Sequence, residues 1–210
     1  MKIITICIFF LPFINIGIYI NTCNKVFVKP IKKIYSINVD SVKNEYENKI
    51  VNIANKVHLK YINKASKKTV IIVDFSKPME QNRLFVVDVE ASKIILSSMV
   101  CHGIGSGNIS IPTKFSDKEG SKMSSKGVML TAETYYGVFG YSMKVDGLQK
   151  NINLNARSRL IVFHDSSLLS TAWSWGCFST PKNVNKKLID LTKNGSLIFV
   201  FSEQKDIAGI

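Results

Sequence analysis

After Lys67 and Lys68 the hydrophobic pattern switches from a helical to an extended period, and that switch narrows the fold more than any other feature of the sequence. Residues 69–75, 83–89 and 93–100 are short runs rich in Val, Ile, Phe and Leu, separated by the turn-forming stretches Ser76-Lys77-Pro78 and Glu90-Ala91-Ser92. Runs this short and this closely spaced read as antiparallel strands joined by tight turns. Further strands are expected over 127–136 and 141–145, around the turn Gly137-Val138-Phe139-Gly140, and over 159–163 and 196–201. Helical spacing appears at two places. In 41–65, Val42, Tyr46, Ile50, Ile53, Val57 and Tyr61 recur at threes and fours behind Ser41 as N-cap. In 182–193, Val184, Leu188, Ile189 and Leu191 form an apolar stripe that Thr180-Pro181 starts and Asn194-Gly195 ends. The expected fold is mainly β, with a helix on each flank.

The chain of 210 residues has room for one domain with a sizeable core and an N-terminal extension. With 46% apolar and 20% charged residues it has ordinary globular composition. Lys2 followed by the apolar run 3–20 has the layout of an export signal, so residues 1–22 are expected to be a signal peptide or an N-terminal membrane anchor. Ile20-Asn21-Thr22-Cys23 lacks the small residue that a lipoprotein site requires, and cleavage or anchoring both stay open. Residues 23–40 are expected to be a linker, 41–68 a helix packed on the domain, and 69–203 the domain itself. The expected location is outside the cytoplasm, in the periplasm or cell envelope, with inner-membrane anchoring through 3–20 an open alternative.

Lys and Arg outnumber Asp and Glu 28 to 15, for a net charge of +13, which suits an anionic polymer or surface. The lysines are scattered and no nucleic-acid-binding module accompanies them, so a nucleic-acid partner is not expected. Four cysteines (Cys7, Cys23, Cys101, Cys177) match no zinc spacing, and no metal or organic cofactor is expected. Without Cys7 the number is odd, which flags a reactive thiol in an exported chain.

The chemistry concentrates near the C-terminal end. The strand expected over 159–163 delivers His164 at its end, and thirteen residues later Ser174-Trp175-Gly176-Cys177-Phe178 places a cysteine directly after a glycine. A thiol needs a base to become a thiolate at neutral pH, and imidazole is the usual one. Amides around Cys177 are placed to meet a developing oxyanion. A nucleophile–base pair and a buried structural cysteine beside a loop histidine are the two readings of these residues alone. Upstream, Cys101-His102-Gly103-Ile104-Gly105-Ser106-Gly107 lacks the Gly-Lys-Ser/Thr ending of a phosphate loop. In extended geometry Cys101 and His102 point to opposite sides, which makes Cys101 the weaker nucleophile if His102 faces a cleft. His58 has no second ligand nearby and reads as a surface or boundary residue.

An ordered set of motifs then points to a family. It comprises Val73-Asp74-Phe75-Ser76, Arg83-Leu84-Phe85-Val86-Val87-Asp88, His102-Gly103 with Gly105-Ser106-Gly107, Phe115-Ser116, Gly120-Ser121 and Ser124-Ser125. Thr131-Ala132-Glu133-Thr134-Tyr135, Asp146-Gly147-Leu148, Asn155-Ala156-Arg157, Ile161-Val162-Phe163-His164 and Ser174-Trp175-Gly176-Cys177 continue it. From about Ile50 to Phe201 the chain resembles the murein L,D-transpeptidase catalytic-domain family (YkuD-like), in its Gram-negative-type branch. The resemblance implies an L,D-transpeptidase-like β-sandwich or barrel with flanking helices, acting on peptidoglycan stem peptides. It implies Cys177 as nucleophile and His164 as base, with backbone N–H groups near Trp175, Gly176 and Cys177 as the oxyanion site. Transfer of the stem peptide from a Cys177 thioester to an amine, with release of terminal D-alanine, would be transpeptidation. Transfer to water would be L,D-carboxypeptidation, and a catalytically silent wall-binding module is the non-enzymatic alternative.

Departures from the family pattern bear on substrate preference more than on chemistry. Trp175 stands where better-known members carry a histidine, Asp165 and Trp173 where the branch usually has Gly and Arg, and Phe178 replaces a proline. Asp165 either orients His164 or is simply solvated. His102, Ser106, Arg157 and Ser174 are candidate substrate-binding residues. Each has a plainer alternative: turn stabilisation for His102 and Ser106, a surface salt bridge for Arg157 and a turn cap for Ser174.

Overall fold

The computed structural model describes residues 39–107, 110–166 and 173–210. The expected signal or anchor, the linker up to residue 38, and most of the loop between Asp165 and Trp173 lie outside the described residues. In chain order, α1 (Val39–Lys60) precedes the strands β1 (Thr69–Asp74), β2 (Leu84–Asp88) and β3 (Lys93–Ser98). Then follow the short β4 (His102–Gly103), a 3-10 turn (Ile104–Ser106), β5 (Gly127–Gly137), β6 (Gly140–Gly147) and β7 (Val162–Ser166). The chain closes with β8 (Trp173–Ser174), β9 (Phe178–Pro181), α2 (Lys182–Thr192), β10 (Leu197–Phe201) and α3 (Gln204–Ala208).

Eight strands form one sheet in the order β3-β2-β1-β10-β5-β6-β7-β9, and β4 pairs with β8 in a separate two-stranded ribbon. The three strands expected to be antiparallel neighbours, β1 to β3, are so. β1 pairs β10 in parallel, and β7 pairs β9 in parallel. The two edges of the sheet approach each other: the Cys101 amide, just past β3, donates to the Ser179 carbonyl of β9 at 2.9 Å. The sheet is thus nearly closed and barrel-like, with helices on its flanks.

Alternation along the central strands sends apolar side chains to both faces, which is why β1 and β10 read as unbroken hydrophobic runs. Val70, Ile72, Leu197, Phe199 and Phe201 pack with Ile50, Ile53, Ala54 and Val57 of α1. Ile71, Val73, Ile198 and Val200 pack on the other face with Phe163, Phe178 and with Leu188 and Ile189 of α2. The helix boundaries differ from the expected ones, and α1 begins at Val39, ahead of Ser41. α1, expected to reach residue 65, stops at Lys60, because the Ser66 and Lys67 amides are drawn to the Gly195 carbonyl at 3.0 and 3.2 Å. Pro181, not Thr180, is the N-cap of α2, and the Thr180 hydroxyl is instead near Asn185 Oδ1 at 3.3 Å.

Candidate active site

His164 is the third of five residues in β7, not the residue after a strand. The strand expected to begin at 159 begins at Val162, because the chain before it turns: Leu160 has φ +57°, and the Ile161 amide donates back to the Ala156 carbonyl at 3.0 Å. The shift seats His164 inside the β7–β9 pair, opposite Ser179. Its ring is buried, and Phe139 from the β5–β6 hairpin stacks on it with centroids 4.5 Å apart.

The ring's tautomer follows from its partners. Nδ1 lies 2.7 Å from the Asp165 backbone carbonyl, which only accepts, so Nδ1 carries a proton. In the neutral imidazole Nε2 is therefore the basic atom, and it lies 2.9 Å from the Ser179 hydroxyl. Burial pushes the His164 pKa below its ordinary value, opposed by the Asp165 carbonyl and carboxylate. The ring is therefore neutral at pH 7 and able to take a proton. It is the Asp165 backbone, not its carboxylate, that orients the ring. Asp165 Oδ1 is buried with no hydrogen-bond partner.

Cys177 leads into β9 through a turn that Ser174 holds shut. The Ser174 hydroxyl accepts the Gly176 amide at 3.0 Å and donates to the Cys177 carbonyl at 2.8 Å. Gly176 sits at φ +113°, and a Cβ there would lie 2.7 Å from the Met123 carbonyl oxygen, so the turn needs glycine. The Cys177 thiol is partly buried and donates to the Leu160 carbonyl at 3.5 Å. Burial raises its pKa, while the Val162 amide and the Arg159 guanidinium lower it. Cys177 lies in the bend directly before β9, where Ser179 pairs His164 in register, whereas Phe163 and Phe178 stack on the core side. Cys101, the other cysteine among the described residues, is buried.

The remaining candidates are spread out. His102 is fully buried, and its Nδ1 accepts from Arg83 Nη2 at 2.9 Å. Ser106 is also buried, and its hydroxyl accepts the Ser124 amide at 2.9 Å. These two pin the glycine loop rather than lining a cleft. Arg157 is engaged by Asp146 and Glu133, each at 2.6 Å at closest, in a surface ion-pair cluster. Ser174 caps the Cys177 turn, as described. Trp175 projects into solvent, 73% exposed, with Lys122 Nζ 4.5 Å above its ring.

Three residues of the site are not singled out by the sequence: Ser179 and Phe139, which contact His164, and Arg159, whose charge acts on the Cys177 thiol. For Ser179 the sequence offers only its place two residues after Cys177, since its contact with His164 depends on the strand register. No group of three or more His, Cys, Asp or Glu able to hold a metal ion occurs among the described residues. A groove of about 720 Å³ is lined by Asn44, Asn48, Asn52 and Lys56 of α1 and by Gln204 and Ile207 of α3, with no part in this site.

Residues 42–201 match the L,D-transpeptidase catalytic domain family, YkuD_2. The chain belongs to that family. No curated protein sequence matches it. Similar solved structures include an L,D-transpeptidase from Stackebrandtia nassauensis at 17% identity and TM-score 0.42, covering 68% of this chain and 60% of that one. Another is an L,D-transpeptidase from Mycobacterium smegmatis at 10% identity and TM-score 0.42, covering 64% and 59%. A third is an L,D-transpeptidase of Enterococcus faecium at 19% identity and TM-score 0.40, covering 64% and 50%. This chain thus spans between half and two thirds of the length of these structures, and it is the family match that carries the assignment.

Proposed function

We propose that the protein is an exported L,D-transpeptidase of peptidoglycan, working outside the cytoplasm through a thioester on Cys177. The observation that carries this reading is the tautomer of His164. The Asp165 carbonyl fixes Nδ1–H, which leaves Nε2 as the basic atom of a neutral ring on β7, the strand that pairs with β9 directly after Cys177. Family membership supplies the reaction class, and the net charge of +13 fits an anionic wall polymer. Trp175, in place of a histidine before Gly-Cys, supports the Gram-negative-type branch.

The steps follow from these groups. The thiol proton passes to His164, and the thiolate attacks the carbonyl at the L-centre of the stem peptide's diamino acid. The Gly176 amide is committed to Ser174, so the amides that face the oxyanion are those of Trp175 and Cys177. The tetrahedral intermediate collapses to a thioester, and the D-alanine amine leaves with the proton held by His164. An acceptor amine then attacks the thioester, passes a proton to His164 and releases the Cys177 thiolate with a new cross-link. Water in place of the amine gives the L,D-carboxypeptidase product.

Incubation with tetrapeptide-bearing muropeptides, followed by intact-protein mass spectrometry, tests the reading. The expected result is a thioester adduct and D-alanine release that Cys177→Ala abolishes, with the product separating cross-linking from trimming. A folded protein that binds wall in a salt-sensitive manner but shows neither adduct nor turnover would overturn it, leaving a silent binding module.

A further inference from the structure

The thiol and the base do not meet directly. Cys177 Sγ donates to the Leu160 carbonyl, and His164 Nε2 is occupied by the Ser179 hydroxyl. Ser179 is the register partner of His164 across the β7–β9 pair and follows Cys177 by two residues in the chain. Hydrogen-bond direction fits as well. Nε2 has a lone pair, so Ser179 donates to it, which leaves the lone pairs of the Ser179 oxygen to accept a proton from the thiol. The serine is buried, and its carbonyl accepts the Cys101 amide at 2.9 Å, so its position is fixed at both backbone and side chain.

We propose that Ser179 is a proton relay between Cys177 and His164. Rotation about the Cys177 Cα–Cβ bond takes Sγ–H off the Leu160 carbonyl and turns it toward the Ser179 oxygen. The S–H bond breaks as a new O–H bond forms on Ser179, while the original Ser179 proton moves to His164 Nε2. The products are a Cys177 thiolate, an intact Ser179 hydroxyl and a His164 imidazolium that now donates to Ser179. In the reverse sense the relay returns the proton toward the leaving amine. The role rests on the Cys177–His164 assignment above and adds a third member to it.

Two readouts test the relay in the full chain. One is D-alanine release from tetrapeptide muropeptides. The other is the rate of Cys177 alkylation by iodoacetamide across pH 6–9, which needs no substrate. Ser179→Ala is expected to lower both about a hundredfold at pH 7, within the range for a positioned proton-transfer group. Ser179→Thr, which keeps the hydroxyl, is expected to recover most of the rate. The double variant Ser179→Ala/His164→Ala is expected to be no slower than His164→Ala alone, because both act on one proton path. Thermal melts establish that each variant is folded. Alkylation by folded Ser179→Ala at the wild-type rate or faster would overturn the relay, since the serine would then be ring support or a competitor for Nε2. If His164→Ala and Cys177→Ala still abolish turnover in that case, the transpeptidase reading stands without it. If Cys177→Ala keeps full turnover, that reading falls first.

Discussion

Arg159 offers a quantitative test of how the site is held together. Its side chain is 3% exposed, and its charge acts on the Cys177 thiol. Nη1 donates to the Ser116 carbonyl and the Ser125 hydroxyl, each at 2.7 Å. Nη2 donates to the Met123 carbonyl at 2.7 Å and the Ser121 hydroxyl at 3.2 Å. All four acceptors belong to the segment 116–125, and the Met123 carbonyl is the atom that presses on Gly176 in the Cys177 turn. Replacing Arg159 with Met keeps most of the volume and removes every one of these bonds. Hydrogen bonds to a charged group contribute roughly 1.5–3 kcal/mol each, and four would sum to far more than burying a guanidinium allows. Its desolvation offsets several kcal/mol. The net loss expected is about 3–5 kcal/mol, the usual cost of breaking one side of a buried charged network. For a domain of this size that corresponds to a fall in melting temperature of roughly 6–20 °C. The same substitution removes a positive charge that favours the thiolate, so the pH profile of Cys177 alkylation moves to higher pH. Arg159→Lys keeps the charge but not the fork, and should restore the alkylation profile better than the melting temperature. An Arg159→Met protein that melts within 2 °C (about 1 kcal/mol or less) of the wild type, with an unshifted alkylation profile, would refute the reasoning on both counts.

Three further outcomes follow from the same geometry. Gly176→Ala forces a side chain into φ +113° and within 2.7 Å of a backbone oxygen. The expected loss is about 3 kcal/mol or more in urea unfolding, with activity gone even where the protein still folds, and an unchanged urea midpoint would contradict the strained turn. His164 binds its proton more weakly folded than unfolded, because burial lowers its pKa below 6.5. As the pH falls through 6.5, the unfolded chain takes up a proton that the folded one resists, so stability drops on the acid side. His164→Gln should flatten that part of the curve, and urea midpoints at pH 7.5 and 5 that fall equally in both proteins would show that His164 makes no such contribution. Phe139→Ala strips the ring stacked on His164 and admits water to it. The imidazole pKa then rises toward its ordinary value, moving the acid limb of Cys177 alkylation to higher pH; a limb that stays in place would mean that Phe139 does not contribute to the burial.

What the sequence made legible depended on whether a feature is local. The hydrophobic periods located β1, β2, β3, β5, β6, β10 and both flanking helices, because alternation and helical spacing are properties of neighbouring residues, but they placed β7 too early and did not show β9. Parallel pairings of β1 with β10 and β7 with β9 join residues far apart in the chain, and no period encodes them. The ribbon of β4 and β8 is only two residues per strand, too short to show a pattern at all. His102 and Ser106 looked like cleft residues because a glycine-rich loop suggests an open site. The glycines serve a different purpose: a Cβ on Gly105 would meet the Ser121 carbonyl oxygen at 2.2 Å, so the loop is glycine-rich to let the segment 116–125 lie on it. Once covered, His102 and Ser106 face inward and hold polar partners of that interior.

The active-site pair itself was legible because Gly-Cys and a strand-borne histidine are local motifs. The link between them was not. Whether Ser179 touches His164 depends on the strand register, and a shift of one residue would turn its hydroxyl to the Phe163–Phe178 core. The register is in turn set where β7 begins, at the Ala156–Ile161 turn that carries Arg159 toward the segment 116–125. The cation that lowers the thiol pKa, the turn that starts the histidine strand and the serine on the base are therefore parts of one arrangement. A change that displaces β7 by a single residue would separate Cys177, Ser179 and His164 together, leaving each residue present in the sequence and the proton path broken.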